Sequence, residues 1–166
     1  DHWQIIERER DPERQPQPDR GEREPFQPDI QPDPPAQAAE DRSGVGIDLV
    51  EVDRVARALA RTPGLADHLF TPVERAYCEA ARSPARQAQR FAARFAAKEA
   101  AMKALGVGLG GVGWHDIAIE RGDRGVPSIR ARGEAADLAR QRGGTRWWVS
   151  LTHTGTFAQA VVVLTS

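Results

Sequence analysis

The sequence predicts an α+β fold in which a long central helix packs on a mainly antiparallel sheet, and three observations carry that prediction. Ser83-Pro84 opens an Ala-rich segment that keeps an apolar stripe until Gly106, long enough to be the central helix. "VGIDLV" (45–50) has the short, β-branched alternation of a strand. "RWWVSLTH" and "FAQAVVVL" are two further strand-like runs separated only by Thr154-Gly155-Thr156, the spacing of an antiparallel hairpin.

Composition divides the 166 residues into an appendage and a domain. Residues 1–43 hold twelve Asp/Glu against six Arg and most of the prolines, and read as a disordered or extended acidic linker. The chain does not begin with Met, which suits a fragment, a processed product or one module of a longer polypeptide. Residues 44–166 read as the folded domain, with seventeen Lys/Arg against twelve acids, a balance that favours anionic partners. The lone Cys78 excludes an internal disulfide framework and fits a reducing compartment. No Cys/His cluster suggests structural zinc, and no apolar run is long enough to span a membrane. A cytoplasmic protein without a membrane partner is the expectation.

Taken in order, "VGIDLV" puts Val45, Ile47 and Leu49 on one face and Asp48 on the other. "EVDRVARALAR" follows as a helix that buries Val52, Val55 and Leu59 and presents Arg54, Arg57 and Arg61 together. "TPVERAYCEAAR" is a second helix with Thr71 as N-cap and Pro72 at its first position. The long helix comes next and stops at Gly106 as a C′ glycine. "WHDIAIE" and "PSIRARG" are predicted strands, "EAADLARQR" a short helix, and the hairpin closes the chain. Trp147 and Trp148 alternate, so one faces the core and the other faces outward as a candidate subunit contact.

All but two of the 23 basic residues are arginine, and the two lysines, Lys98 and Lys103, flank Glu99 in "RFAAKEAAMKALG" (94–106). At about 100° per residue, Phe91, Phe95, Met102 and Leu105 share a stripe that contains Lys98, while Glu99 and Lys103 lie on its flank. One reading is an i,i+4 ion pair worth about 0.2–0.5 kcal/mol, with Lys98 extending its ammonium outward. The other, favoured, reading is a functional site. Lysine is a compact donor whose pKa shifts readily, and a lysine in an apolar stripe needs a partner.

"VGIDLVEVDR", "FTPVERAYC", "RFAAKEAAMKALG" and "WVSLTHT" resemble, in order and spacing, the holo-[acyl-carrier-protein] synthases, the small AcpS-type 4′-phosphopantetheinyl transferases, over residues 44 to about 164. The resemblance implies transfer of phosphopantetheine from coenzyme A to a serine of an apo carrier protein, with release of adenosine 3′,5′-bisphosphate. It implies Mg²⁺ held by Asp48 and Glu99, with Lys103 completing a catalytic set of Asp48, Glu99 and Lys103. It groups Arg94, Pro127, His153 and Thr154 as coenzyme-binding residues, with the turn Gly125 to Pro127 beside the adenosine; Lys98, which needs a partner in its apolar stripe, is assigned to the same group. The basic helix of Arg54, Arg57 and Arg61 would dock an acidic acyl carrier protein. The family's trimers, with active sites between neighbours, imply a homotrimer.

The implied chemistry suits these residue types. Phosphoryl transfer asks mainly for positioning and charge neutralisation, and Mg²⁺ is commonly held by one or two carboxylates plus substrate phosphates. Taken singly, Asp48 reads as a turn or capping residue, His153 as an exposed turn residue and the arginines as a solvated helix face. Nucleic acid is not expected as a partner, since no aromatic platform is interleaved with the basic residues. Two alternatives are the terminal module of a larger synthase acting on its own carrier domain and a non-catalytic coenzyme A-binding trimer.

Overall fold

The structure, a computed structural model, describes residues 43–166; the linker read for residues 1–43 lies, but for Ser43, outside the described residues. Strand β1 spans Gly44–Glu51 and runs directly into helix α1, Val52–Arg61. A five-residue helix α2, Leu65–Leu69, and helix α3, Pro72–Glu79, lead to the central helix α4, Pro84–Ala104. Then come β2, Ile117–Arg121, β3, Pro127–Ala131, helix α5, Gly133–Gln141, and the hairpin of β4, Arg146–His153, and β5, Phe157–Thr165. All strand pairing among the described residues is antiparallel, in a three-stranded sheet of order β1-β5-β4 and a separate pair β2-β3.

Local chemistry accounts for where α3 and α4 start and stop. Thr71 and Glu74 form a reciprocal capping box with Pro72 at the first helical position, while Ser83 caps α4 ahead of Pro84. The end of α4 is closed by two hydrogen bonds, Gly106 N to Lys103 O at 2.8 Å and Val107 N to Met102 O at 3.0 Å. This is the Schellman arrangement that satisfies the last carbonyls.

Between those ends α4 is buried nearly all round from Phe91 to Leu105. Alanine permits this, being a strong helix former too small to hold neighbouring elements away. On one side α4 meets β1 and β5; on others it meets α1, α3 and β2. The apolar stripe holds: Phe91, Phe95, Met102 and Leu105 are all buried, and Phe95 stacks on Trp114 with ring centroids 5.5 Å apart. Strand β1 lies so close to α4 that a Cβ on Gly46 would stand 1.8 Å from the Ala100 carbonyl oxygen. That approach brings Asp48, two residues further along the same face of β1, within reach of the helix.

Three features differ from the sequence reading. The segment 114–116 is a 3₁₀ turn, so β2 begins only at Ile117. Leu59 is half-buried and Ala58 takes its place in the core, which rotates the buried face of α1 slightly. Helix α2 is an element that no periodicity announced. The alternation at Trp147 and Trp148 is as expected, with Trp147 packed on the core and Trp148 59% exposed.

Candidate active site

The two lysines of α4 meet opposite fates. Lys98 has a side chain with 0% exposure, and its ammonium finds three acceptors: Glu74 Oε2 at 2.9 Å and the carbonyls of Trp114 and Ile117, each at 2.7 Å. Three N–H donors therefore have three partners. Burial pulls the Lys98 ammonium below the ordinary lysine value, while Glu74 pulls it back up. Glu74 is equally occupied, accepting from the Ile119 amide at 2.9 Å and from the Thr71 amide and hydroxyl, both at 2.8 Å. The grouping of Lys98 with the coenzyme-binding residues is therefore corrected: no surface of it remains for a ligand, and its role is to lock α3, α4 and β2 together. The need for a partner was legible; the partner, a glutamate doubling as a helix cap, was not.

On the flank of α4 the charges are incompletely matched. Lys103 Nζ donates to Asp48 Oδ1 at 2.8 Å and to the Ile47 carbonyl at 3.0 Å, reaching across to β1. Its side chain is 50% exposed and that of Asp48 10%. The second oxygen, Asp48 Oδ2, is buried and receives no hydrogen bond from an amide, a hydroxyl or a cationic group. Glu99 stands against it, its carboxyl pushed up to about 8, first by burial, then by a hydrogen bond with Asp48 and by the Asp48 charge. Lys103 and Arg54 pull in the other direction without cancelling these effects.

Two carboxyls in this relation cannot both ionise cheaply unless something positive lies between them. A proton on Glu99 fills the gap at Asp48 Oδ2, and so would a divalent cation. Among the described residues no group of three or more His, Cys, Asp or Glu is placed to hold a metal. Two carboxylates with the remaining positions left to water and phosphate match what Mg²⁺ accepts. The residues present therefore fit the ion.

A second cluster of sequence-singled residues lies together elsewhere. Arg94, Pro127 and His153, from α4, β3 and the end of β4, line one cleft of about 200 Å³. Tyr77 and two arginines that sequence reasoning missed, Arg90 and Arg121, line it too. A signal for Arg90 was available, because Arg86, Arg90 and Arg94 recur every fourth residue along one helix face. Thr154 does not line this cleft; its hydroxyl accepts from the amides of Thr156 at 3.2 Å and Phe157 at 3.1 Å and so shapes the β4–β5 turn. The three arginines of α1 do not act as one set. Arg57 and Arg61 are exposed, whereas Arg54 is half-buried, carries a buried Nε without a hydrogen-bond partner, and acts electrostatically on Glu99.

A cation-ready acid pair and an arginine cleft on the same helix suit a ligand with several phosphate groups. The chain belongs to the 4′-phosphopantetheinyl transferase superfamily, whose family model matches residues 44–162. Within it, similarity runs to proteins named holo-[acyl-carrier-protein] synthase. The one from Frankia alni is 46% identical over 123 residues, spanning 74% of this chain and 97% of that protein. The one from Anaeromyxobacter dehalogenans is 50% identical over 125 residues, 73% of this chain and 94% of that protein. The crystal structure of the Bacillus anthracis holo-(acyl-carrier-protein) synthase in complex with CoA (3′,5′-ADP) superposes with a TM-score of 0.61 at 32% identity, covering 74% of this chain and 96% of that one.

Proposed function

We propose that this protein transfers 4′-phosphopantetheine from coenzyme A to a serine of an apo acyl carrier protein, leaving adenosine 3′,5′-bisphosphate, with Mg²⁺ as cofactor. The observation that carries this reading is the buried pair of Asp48, whose Oδ2 meets no amide, hydroxyl or cationic donor, and Glu99, whose carboxyl is pushed up to about 8 beside it. The names of the relatives and the coenzyme in the B. anthracis crystal structure support the substrate.

In this reading Asp48 and Glu99 hold the ion, which when bound supplies positive charge to the diphosphate and fixes its orientation. Lys103, already directed at Asp48, turns its half-exposed ammonium to the departing bisphosphate oxygen and supplies charge or a proton there. Arg94, Pro127 and His153 hold the nucleotide end in their cleft. Arg57 and Arg61, with Arg54 at the border of the site, present a basic face to an acidic carrier.

The assembly we propose is a homotrimer. The outer face of the three-stranded sheet leaves Val45, Ile47 and Leu49 52–60% exposed, with Trp148 at 59% and Phe157 at 42%. The register places Val45, Val163 and Trp148 in one row across the sheet. A contiguous apolar patch of this kind calls for a cover. Among the described residues no helix is long and apolar enough to cross a membrane, and the one cysteine is buried; the cytoplasm is the proposed compartment.

The test is mass spectrometry of apo acyl carrier protein incubated with the protein and coenzyme A, with and without Mg²⁺. A gain of one phosphopantetheine that requires Mg²⁺ is expected. No gain with any apo carrier, despite coenzyme A binding, would leave a coenzyme-binding scaffold in place of an enzyme.

A further inference from the structure

The charges of residues 1–43 are not evenly mixed. Residues 1–23 interleave seven Asp/Glu with five Arg, a balance of −2. Residues 24–41, "EPFQPDIQPDPPAQAAED", hold five acids, Glu24, Asp29, Asp33, Glu40 and Asp41, and no basic residue. The negative charge is thus concentrated in the eighteen residues that come just before the fold, with only Arg42 and Ser43 between them and Gly44. The domain that follows has the opposite sign, with seventeen Lys/Arg against twelve acids. Opposite charges joined in one chain attract across the gap that screening permits, about 10 Å at 0.1 M salt.

The surface that suits such a segment is α1. At about 100° per residue, Arg54, Arg57 and Arg61 fall within about 60° of one another, and the helix contains a single acid, Asp53. Arg57 and Arg61 are exposed and Arg54 is half-buried. Arginines elsewhere have other neighbours: Arg75 meets Asp67 and Glu79, Arg130 meets Glu120, and Arg90, Arg94 and Arg121 line the cleft with His153. Reach is not limiting. Strand β1 has eight residues and leads from Gly44 straight into α1, a distance of about 27 Å. Eighteen residues span up to about 60 Å. A face that receives one acidic partner receives another, and tethering supplies the second at an effective concentration on the order of 1 mM. An affinity of about 0.2 mM then fills the face about five parts in six and raises the apparent KM of a competitor about sixfold.

We propose that residues 24–41 dock on the arginine face of α1 and compete there with the acidic carrier, an autoinhibitory contact that weakens as ionic strength rises. The transferase reading enters only as the identity of the competitor; the contact itself rests on charge and reach.

The test uses the full chain. Glu24→Gln, Asp29→Asn, Asp33→Asn, Glu40→Gln and Asp41→Asn together remove the charge and lie outside the described fold and the site. The KM for apo carrier should fall about sixfold at about 50 mM salt, with kcat and the KM for coenzyme A unchanged, and the gap should shrink below about twofold at about 0.5 M. An unchanged carrier KM overturns the proposal, and so does an equal change in the coenzyme KM. A second measurement needs no carrier: a dye-labelled peptide of residues 24–41 is titrated onto the chain and followed by fluorescence anisotropy. The neutralised chain should bind it with a Kd of about 0.2 mM, and the wild type about sixfold more weakly, because its own segment holds the face. Arg57→Glu with Arg61→Glu, added to the neutralised chain, should weaken binding at least fivefold; if that variant does not fold, the wild-type comparison carries the test. Binding that ignores the arginine substitutions places the segment on another surface and overturns the proposal, as does equal binding to wild type and neutralised chain. If no carrier gains mass while the wild type still masks its face from the peptide, the transferase reading fails and the docking stands. If carriers are modified and the masking is absent, the docking alone fails.

Discussion

Lys98 and Lys103 are five residues apart on one helix, and their surroundings differ in one respect that separates scaffold from site. At Lys98 every donor has an acceptor and Glu74 has every oxygen engaged, within a region that excludes water. Around Lys103 one carboxylate oxygen meets no amide, hydroxyl or cationic donor, and a neighbouring glutamate is pushed up to about 8 against it. A closed charge network lowers the energy of one conformation, whereas an open one keeps attraction in reserve for a ligand. Burial alone does not distinguish them, because both contain buried ionisable groups; completeness of partnering does.

The comparison can be broken at either end. The largest effect is expected from Lys98→Met, which strands Glu74 without its cation and should cost about 3–5 kcal/mol in urea unfolding. Adding Glu74→Gln should return part of that loss. If Lys98→Met is as stable as wild type but loses coenzyme affinity, Lys98 belongs to the site after all. Asp48→Asn acts in reverse: transfer should fall about 10²–10³-fold, the scale on which one electrostatic contact to a reacting group is felt. The folded protein should lose little stability by comparison, about 1 kcal/mol or less, since the only ion pair removed is that with the half-exposed Lys103. Loss of stability in step with activity would place Asp48 in the scaffold.

A pH series sharpens the same contrast. Glu99 in the folded chain titrates at about 8, above its ordinary 4.5, so the folded state binds the proton more tightly than the unfolded one. Stability should then be highest below about pH 4.5 as far as this group is concerned, and fall as pH rises through 8. Mg²⁺ competes with that proton, so its effect on the melting temperature should be larger at pH 8.5 than at pH 6. Glu99→Gln should abolish both the slope and the Mg²⁺ effect; a slope that survives it lies elsewhere. The smallest effect is at the rim of the closed network. Thr71→Ala removes half of a capping box and should cost about 1 kcal/mol without altering Mg²⁺ binding.

Much of the frame was legible because the signals are local. Ser83-Pro84, the four apolar residues of the α4 stripe and the three-residue turn at Thr154 each specify an element within a few residues. Asp48 and Glu99 were legible only together, as parts of blocks in a fixed order. What stayed hidden depends on contacts between distant segments. Glu74 reads as an ordinary cap until α3 is laid against α4, and Tyr77 reads as one aromatic in a helix until β2 brings Arg121 to its hydroxyl. Helix α2, five residues long, is too short for periodicity to reveal, and "WHD" alternates like a strand yet turns.

The central claim is that Asp48 and Glu99 are held apart from the closed network in order to share one divalent cation. Titrating Mn²⁺ into the protein with coenzyme A present, and following free Mn²⁺ by its electron paramagnetic resonance signal, measures this directly. The account predicts one Mn²⁺ bound per chain in the wild type, displaced by Mg²⁺ and lost in Asp48→Asn. Binding that is undiminished in Asp48→Asn would contradict it.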